Sequence, residues 1–538
     1  MNKNKNIPFS KIRMAFLALF VGILSFGCTG NFSEVNSTEG PTRKEATGDF
    51  FNIGVHLSSL QTNVIVLSTI NAYQFNENLT GQPYARYLTI TKDTWNISNF
   101  CVFNAPINWL ESLFNNQMTR LYSSWFELKK VLEEEDMMDH YAWGWAELLR
   151  VAAVHRTTDM YGPLPYSELK ENTGSMYVAY DTQQQIYMGL FEDLNVAIDI
   201  LTRYVQSGGA SEWTALKNYD LVYNGDFIKW IKFANSLKLR MAMRIAFVDQ
   251  ANAEKYVNEA LAHPIGVITS NDDNAWITYG TNPLWVMYGP YADTRAAAEI
   301  MTYLKGYQDP RLEKYFVPAE ESKEYRSMRV GIAIPSHDWA CKNFSVPRVE
   351  EKAPTLWMCA AEVAFLKAEA SAYWGWIADD AEALYNEGIR LSFAQWGAGN
   401  VDAYLNNNTL SQDNYADDQL NTAIALSTIT IRWNEAATKE QKLERIIIQK
   451  WIALYPLGLE GWAEQRRTGY PRFFPIPNSQ NSDQTLRTRG ASRIPYPVSE
   501  LQNNQANYLD AINNKGLGGR NDYGTRLWWD VKTGKPGW

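Results

Sequence analysis

The sequence predicts a mainly α-helical protein, and three observations support this fold class. Several segments repeat apolar residues every three or four positions, which is the spacing of one helix face. Signals for β-strands are weak and scattered along the chain. Two predicted helices follow each other after a short connection, as packed helix pairs do. With 538 residues the chain can bury a large core, and length alone would allow three or four domains.

An apolar run from Met14 to Cys28 dominates the N-terminus. The residues before it include four basic and no acidic side chains, and the run is too short for a membrane span, which needs about 20 residues. A basic segment, an apolar run and small residues before a cysteine are typical of a bacterial secretory signal. We therefore predict a signal peptide at residues 1–27 and lipid attachment at Cys28. Lipoprotein signals usually have Leu where this chain has Ser25, so an ordinary cleaved signal is the alternative.

The sequence becomes polar directly after Cys28, which predicts a flexible tether at residues 28–45. Residues 46–538 are predicted to form the folded part of the protein. This part contains no run of about 18 apolar residues, so we expect it to be water-soluble.

The charge and cysteine content exclude some classes of protein. Loss of the four basic signal residues takes the formal net charge from −9 to −13, so the mature protein lacks the basic surface that nucleic acids need. After Cys28 the chain contains only Cys101, Cys341 and Cys359, which allow at most one disulfide. Three free thiols are the simpler interpretation.

The helical segments, taken in order, begin with one that has Asp181 or Thr182 available as its N-cap. The next is long and amphipathic, with Lys and Arg opposite its apolar face. The predicted helices are Thr182–Arg203, Asp226–Phe247, Ala253–Ala262, Glu362–Trp376, Ala381–Phe393 and Leu443–Leu454.

The helices Glu362–Trp376 and Ala381–Phe393 form the most informative pair. Small residues such as Ala364, Ala368 and Gly388 allow the two helices to pack closely and antiparallel. This arrangement is similar to one tetratricopeptide unit, a repeat of about 34 residues. No clean repeat of that length is visible elsewhere, so a plain helical hairpin is the alternative.

Long irregular stretches are predicted between the helices. Such stretches are uncommon in compact domains unless they have a function, and rigid scaffolds commonly carry their binding residues on loops. The stretches run from Asn76 to Phe100, Asn271 to Arg295, Tyr325 to Thr355, Gly397 to Asn434, and from Gly469 to the C-terminus.

Motifs of common enzymes are missing from the sequence. It contains no G-x-S-x-G, P-loop, H-E-x-x-H or C-x-x-C pattern, and its five histidines do not have the spacing of helical metal ligands. We therefore predict no catalytic residues, no metal site and no cofactor. Two carboxylates suffice for a glycosidase, and Asp272 and Asp273 beside Trp276 are the pair to test, with a solvated turn as the alternative.

Four motifs, together with the predicted lipoprotein signal, carry a resemblance to a known family. The first, RTTDMYGPLPYSE, is a helix end followed by a stiff Gly-Pro turn. The motifs occupy Arg156–Glu168, Asp309–Leu312, Glu444–Arg472 and Arg493–Asn504. In this order they resemble the SusD/RagB family of outer-membrane nutrient-binding lipoproteins, and the TGYPR and WWD sequences are most similar to its SusD-like branch.

The resemblance implies a single α-rich domain over residues 46–538, built on four tetratricopeptide-like helix pairs with loops forming the ligand face. It implies an outer-membrane protein that is anchored by lipid, faces the cell exterior and closes over a SusC-like TonB-dependent β-barrel transporter. The implied ligand is an oligosaccharide, or a peptide in some members, and no catalysis is implied.

Ligand-binding residues are predicted in the first two irregular stretches. Sugar rings pack their C–H faces on aromatic side chains, and their hydroxyls bind polar groups. The predicted stacking residues are Trp95, Trp276, Trp285, Tyr288 and Tyr291, and the predicted polar partners are Asn76, Arg86, Asp272 and Arg295. The alternative is that these aromatic side chains fill the interior of the scaffold.

Other polar residues are assigned to the frame of the fold. Arginines bonded to backbone carbonyls can hold irregular chain in place, and we predict this role for Arg466, Arg467, Tyr470 and the block Arg493–Tyr496. A peptide-binding RagB-type protein and a surface glycoside hydrolase remain alternative functions, with a scaffold that binds no small ligand as a further possibility.

Overall fold

The computed structural model describes residues 50–171, 177–208 and 214–536. The predicted signal peptide, Cys28 and the predicted tether lie outside the described residues. The scaffold helices are α1 (Phe51–Val64), α2 (Ile107–Glu134), α3 (Tyr141–Tyr161), α4 (Gln183–Gln206), α5 (Phe227–Arg244), α6 (Gln250–Ala262), α7 (Ala360–Glu369), α8 (Ala381–Trp396), α9 (Lys439–Ala453) and α10 (Gly458–Thr468).

Shorter elements connect the scaffold helices. The strands are β1 (Leu88–Ile90), β2 (Leu164–Pro165), β3 (Tyr180–Asp181), β4 (Ala275–Ile277), β5 (Thr294–Ala296), β6 (Phe316–Val317), β7 (Val346–Pro347), β8 (Thr355–Met358), β9 (Tyr415–Ala416) and β10 (Thr422–Ala423). They form two-stranded antiparallel ladders: β1 with β5, β2 with β3, β4 with β8, β6 with β7, and β9 with β10.

The remaining helices are short. The α-helical ones are Ile70–Tyr73, Gln82–Tyr84, Ser167–Glu171, Thr214–Lys217, Pro283–Tyr288, Ala298–Gly306, Leu312–Tyr315, His337–Asn343, Val401–Leu405, Leu486–Arg489, Val498–Asn503 and Gln505–Asn514. Two π-helical segments, Gln74–Gly81 and Ala370–Trp374, and two 3-10 turns, Asp93–Trp95 and Asn271–Asp273, complete the set.

The scaffold helices pack in pairs. Helix α1 packs on α2, α3 on α4, α5 on α6, and α7 on α8, while α1 also contacts α3 and α4 also contacts α5. These four pairs are the ones that the resemblance implied, and they confirm the predicted mainly α-helical class with tetratricopeptide-like pairs. Gly388 shows how closely α7 and α8 approach, because a Cβ atom there would lie 2.8 Å from the Phe365 ring.

The helix ends agree with the sequence signals where local chemistry sets them. Thr182 caps α4 through a capping box, in which its hydroxyl accepts from the Gln185 amide and the Gln185 side chain accepts from the Thr182 amide. Asp226 caps α5 by accepting from the Lys229 amide at 3.2 Å. Helices α1, α2 and α10 were not predicted, and only the C-terminal end of α3 was, in the RTTDMYGPLPYSE motif. Helix α3 lacks an amphipathic pattern because it is buried on nearly every side.

The stretch Asn76–Phe100 is less irregular than predicted. Its first part continues the π-helical segment, where the Asn76 amide donates to the Ala72 carbonyl at 2.7 Å and the Thr80 hydroxyl donates to the Asn76 carbonyl at 2.8 Å. These side chains satisfy carbonyl groups of the wide turn. The aromatic side chains of Tyr84 and Tyr87, which were not among the predicted stacking residues, are buried in the core.

A network of buried charged side chains joins the scaffold helices, and we call it the charged centre: Asp159, Arg244, Glu460, Glu464 and Arg467. Arg244 binds Asp159 and Glu464 at 3.0 Å each and also contacts Glu460. Arg467 binds Glu464 at 2.6 Å and reaches α7 through Glu369, also at 2.6 Å. The charged centre therefore links α3, α5, α7 and α10.

The arginines assigned to the frame are buried as predicted. Arg466 donates to the carbonyls of Asp159 and Ser492 at 2.7 and 2.9 Å, and Arg493 donates to the carbonyl of Tyr161 at 2.9 Å. Burial lowers the pKa of Arg466 to about 9. Arg467 differs from the expectation because it binds carboxylates rather than backbone carbonyls.

The main apolar cluster extends from Ile53 to Trp529 and includes residues of every scaffold helix. Cys101 and Cys359 are buried free thiols, and Cys341 is a half-buried one. Within the described ranges, no helix is both long enough and apolar enough to cross a bilayer.

Candidate functional site

The first two predicted loop stretches meet side by side in the structure. Strand β1 pairs antiparallel with β5, so that Leu88 lies opposite Ala296 and Ile90 opposite Thr294. The contact continues past the strands, where the Thr91 amide donates to the Asp293 carbonyl at 3.0 Å. Backbone pairing thus joins segments that are about 200 positions apart in the sequence.

The third stretch joins them through Asn96. The Asn96 side-chain amide donates to the Ile334 carbonyl, and its oxygen accepts from the Ile334 amide, both at 2.8 Å. The short helix His337–Asn343 follows and lies over Thr91, whose carbonyl is 3.3 Å from the His337 Nδ1. We call the surface formed by residues 91–96, 288–293 and 334–341 the loop face.

Aromatic rings are held at fixed angles on and beside the loop face. Trp95 is half-buried and meets Trp109 of α2 edge-on, with ring centroids 5.1 Å apart. Trp109 in turn contacts Phe75 and Phe100. Tyr291 is 38% exposed, and its hydroxyl donates to the Asn71 side chain at 3.2 Å. The Trp95 ring is therefore held by Trp109 and the Tyr291 ring by the hydrogen bond of its hydroxyl, while both rings keep part of their surface exposed.

A polar network lies on the same loop face. The Lys92 ammonium donates to the Tyr291 carbonyl at 3.0 Å and lies 3.6 Å from Asp293 and 3.3 Å from the His337 Nε2. Gln74 also donates to Asp293. Burial raises the pKa of Asp293, and Lys92 acts in the opposite direction. Amine, imidazole and amide groups are thus available beside the aromatic surfaces.

Of the remaining predicted aromatic residues, Tyr288 lies at the edge of the loop face, whereas Trp285 and Trp276 lie outside the segments that form it. Tyr288 donates its hydroxyl to the Val349 carbonyl at 2.6 Å, and Trp285 is half-buried on the same short helix, Pro283–Tyr288. Trp276 lies in β4 and lines a separate cavity of about 420 Å³. The structure therefore does not gather all five predicted stacking residues into one platform.

Three of the predicted polar partners need correction. Asn76 is fully buried in the π-helical segment, and Arg86 is 5% exposed, with its guanidinium 3.6 Å from buried Glu299. Arg295 is also buried, and it donates to the carbonyls of Thr294 at 2.7 Å and Cys341 at 3.2 Å. These side chains satisfy groups of the fold and are not accessible to a ligand at the surface.

Asp272 and Asp273 lie in a turn. Asp272 is exposed, and its carbonyl accepts from the Lys229 ammonium at 2.6 Å. Asp273 is buried and forms an ion pair with Lys232 at 2.8 Å. The two residues belong to a 3-10 turn capped by Ser270, as the alternative interpretation expected.

Sequence reasoning missed Lys92, Trp109 and His337. Lys92 and His337 lie within two of the irregular stretches, so their position there was a usable signal. Trp109 lies in the first turn of α2, a helix that was not predicted, and no local sequence pattern relates it to Trp95. Among the described residues, no group of three or more His, Cys, Asp or Glu side chains is placed to hold a metal ion.

A scaffold of helix pairs that presents aromatic rings and polar groups on a tied loop surface defines a ligand-binding protein. A family model described as "SusD-like: Susd and RagB outer membrane lipoprotein" matches residues 34–530. The chain belongs to this SusD/RagB family, as its motifs predicted.

Solved structures of family members resemble this one over most of its length. A SusD homolog from Bacteroides uniformis is 38% identical, covers 90% of this chain and 100% of its own, and has a TM-score of 0.83. A chitin-binding SusD homolog from Flavobacterium johnsoniae is 32% identical with the same coverage and TM-score. A SusD homolog from Bacteroides vulgatus is 32% identical, covers 91% and 99%, and has a TM-score of 0.82. No curated protein matches the chain in sequence.

Proposed function

We propose that this protein is a lipid-anchored, cell-surface binding protein that captures oligosaccharides and delivers them to a SusC-like TonB-dependent transporter. The observation that carries the proposal is the loop face, where the partly exposed rings of Trp95 and Tyr291 occur together with a network of polar side chains. Family membership and a chitin-binding relative support the glycan as ligand.

The geometry suits a sugar because it offers two kinds of contact. Aromatic faces pack against the C–H groups of a pyranose ring, and nearby donors and acceptors bind its hydroxyls. Lys92, His337 and Asn71 supply these polar groups beside Trp95 and Tyr291. The rings are already held by their neighbours, so little side-chain freedom is lost on binding, which favours affinity.

The proposed mechanism is capture followed by hand-over, without chemical change of the ligand. Lipid at Cys28 would hold the protein at the outer membrane, and the polar residues 28–45 would let the body move relative to the anchor. Tethering raises the effective concentration of the captured glycan at the transporter, so moderate affinity suffices. Transport energy then comes from the barrel and not from this protein.

Binding can be tested with purified protein on a glycan array, followed by calorimetry on the best ligand. We expect Trp95→Ala and Tyr291→Ala each to weaken binding at least about tenfold, because a buried aromatic contact is lost. Trp376→Ala is the control, since Trp376 is half-buried but stacks on Trp374 away from the loop face. Selective binding to a peptide library with no glycan bound would favour the RagB-type alternative, and new reducing ends would indicate a hydrolase.

Delivery needs a separate test in cells. We expect the protein to copurify with a TonB-dependent barrel, and its deletion to reduce growth on the glycan identified above. Replacement of Cys28 by Ala should impair surface attachment while purified protein still binds the glycan. Normal growth of the deletion strain on that glycan would contradict the delivery step without affecting the binding step.

A further inference from the structure

A second cavity lies next to the loop face and is built differently from it. Its volume is about 420 Å³, within the range of about 300–1,000 Å³ that is usual for small-molecule sites. Trp276 and Trp396 both line it, together with Leu284, Pro354 and Pro456. We call it the Trp276 pocket.

The aromatic walls of the Trp276 pocket are fixed by the fold. Trp276 belongs to β4 and lies opposite Leu356 of β8 in the strand ladder. Trp396 ends α8 and meets the buried Tyr315 ring edge-on, with centroids 4.7 Å apart. Both indole rings are half-buried, so each keeps part of its surface open to the cavity. The pocket thus exists before any ligand enters.

Most inner polar groups of the pocket are already occupied, and the Trp396 indole N–H is an exception, because it is buried without a hydrogen-bond partner. The Asn282 amide donates to the Ala353 carbonyl at 2.9 Å, and its oxygen accepts from the Leu284 amide at 2.9 Å. The Tyr73 hydroxyl accepts from Gln82 at 3.0 Å. A sugar ring placed inside would lose water around its hydroxyls without enough partners to replace it, which is unfavourable. An apolar ring has no such cost.

Charged groups are found at the mouth. Arg348 and Glu350 line the pocket and are exposed, and the Arg348 Nε donates to the Glu313 carbonyl at 2.7 Å. Hydroxyls outside the pocket could therefore bind these side chains while remaining in contact with water. A ligand that suits both parts has an apolar ring at one end and a sugar at the other.

The Trp276 pocket and the loop face are connected through one short helix, Ile70–Tyr73. Tyr73 lines the pocket, and the next residue, Gln74, donates to Asp293 of the loop face. Asn71, on the same short helix as Tyr73, accepts from the Tyr291 hydroxyl.

We infer that the Trp276 pocket binds an aryl group carried by the glycan ligand, with the attached sugar outside near Arg348 and Glu350. The inference rests on the proposed glycan-binding function and specifies the substrate class as aryl-substituted glycans. Three observations support it: two half-buried indoles, interior polar groups that are mostly occupied, and a charged mouth.

The test compares phenyl β-D-glucopyranoside with methyl β-D-glucopyranoside, measured by calorimetry and by saturation-transfer NMR. We expect the phenyl compound to bind at least about tenfold more tightly, with its ring protons receiving the strongest saturation. Ala353→Phe should abolish this preference, because it places a ring in the pocket while all backbone bonds remain. Trp276→Ala should also reduce the preference and serves as a second variant if Ala353→Phe does not fold.

Trp376→Ala is the matched control, because Trp376 is half-buried like Trp276 but stacks on Trp374, and it should leave the preference for the phenyl compound unchanged. Equal binding of the two glycosides, no binding of either at millimolar concentration, or a preference that survives both pocket variants would overturn the inference. Failure of the proposed glycan-binding function would give a different result. In that case unsubstituted oligosaccharides would not bind, or their binding would not depend on Trp95.

Discussion

The charged centre and the loop face contain similar side chains in opposite surroundings. In the charged centre, Arg244 and Arg467 are almost fully buried and every carboxylate around them is engaged. In the loop face, the Lys92 side chain is 28% exposed and Tyr291 is 38% exposed. Burial, not residue type, separates the side chains that hold this fold from those available to a ligand.

This difference sets the cost of a substitution in each region. Removing one partner from a buried ion pair leaves a charge without compensation, which costs about 3–5 kcal/mol. Polar groups at a surface remain in contact with water, so their loss has little effect on stability. The charged centre should therefore respond to mutation through stability and the loop face through binding.

The largest effect is expected for Arg244→Met. The substitution would leave Asp159, Glu460 and Glu464 with less positive charge around them in the core, and we expect a loss of about 3–5 kcal/mol in the free energy of unfolding. Urea denaturation followed by circular dichroism measures it. Arg203→Met is the matched control, because the Arg203 pair with Asp139 is exposed and should contribute little. Similar losses for both variants would contradict the contrast between buried and exposed pairs.

Acid should weaken the charged centre by protonating Glu460. Burial alone would raise the pKa of Glu460, but Arg244 and Arg240 outweigh it and lower the pKa from 4.5 to about 2. A carboxylate with a lowered pKa stabilises the fold above its unfolded value, and this contribution disappears as the pH falls from 4.5 through about 2. Burial raises the pKa of Asp159, which partly opposes the trend.

Urea unfolding at pH 6, 4 and 3 would measure how much stability is lost as Glu460 becomes protonated. We expect Glu460→Gln to be less stable at pH 6 and to depend less on pH than the unaltered protein, because the group that titrates is gone. Parallel stability curves for the two proteins would contradict the assignment of the acid response to Glu460.

A smaller effect is expected where α7 and α8 touch. Gly388→Ala would place a methyl group 2.8 Å from the fully buried Phe365 ring, and we expect a net loss of about 1–3 kcal/mol despite the better helix propensity of alanine. Gly399→Ala is the control, because no atom lies within 4 Å of its added Cβ. Thermal unfolding distinguishes them, and equal melting temperatures would show that the helix pair can adjust.

Local signals were sufficient for much of the scaffold. The capping residues Thr182 and Asp226 and the apolar spacing after them placed α4 and α5 correctly, because caps and helix faces depend on neighbouring residues. Only the C-terminal end of α3 was predicted, since a helix that is buried on nearly every side has no polar face. The four pairs followed from family resemblance, not from a visible repeat.

The candidate site was predicted only in part, because burial and long-range contact decide it. Trp95 and Tyr291 were identified by their aromatic, polar stretches, yet Asn76 and Arg86 in the same kind of sequence are buried. His337 lies beside Lys92 across 245 sequence positions, and no local pattern relates them. Trp276, Trp285, Tyr288 and Asp272 remain predicted ligand contacts to be tested by binding.

The smallest effects are expected for the substitution of Tyr by Phe, made once in the buried core and once in the loop face. Tyr87 donates its hydroxyl to the Trp451 carbonyl inside the core, and Tyr291 donates to Asn71 at the surface. We expect Tyr87→Phe to lose about 1 kcal/mol, because it leaves a buried carbonyl without its donor, and Tyr291→Phe to change stability by less than about 0.5 kcal/mol.

Chemical denaturation of the two variants, paired with calorimetry on the glycan, separates the roles. Tyr291→Phe keeps the ring and should keep most of the binding, in contrast to Tyr291→Ala, so stacking and hydrogen bonding can be told apart. A stability loss at Tyr291 as large as that at Tyr87 would show that the loop face is part of the rigid frame. In that case Tyr291 would stabilise the fold although it is exposed. Exposure alone would then not identify the side chains of the loop face that bind the ligand.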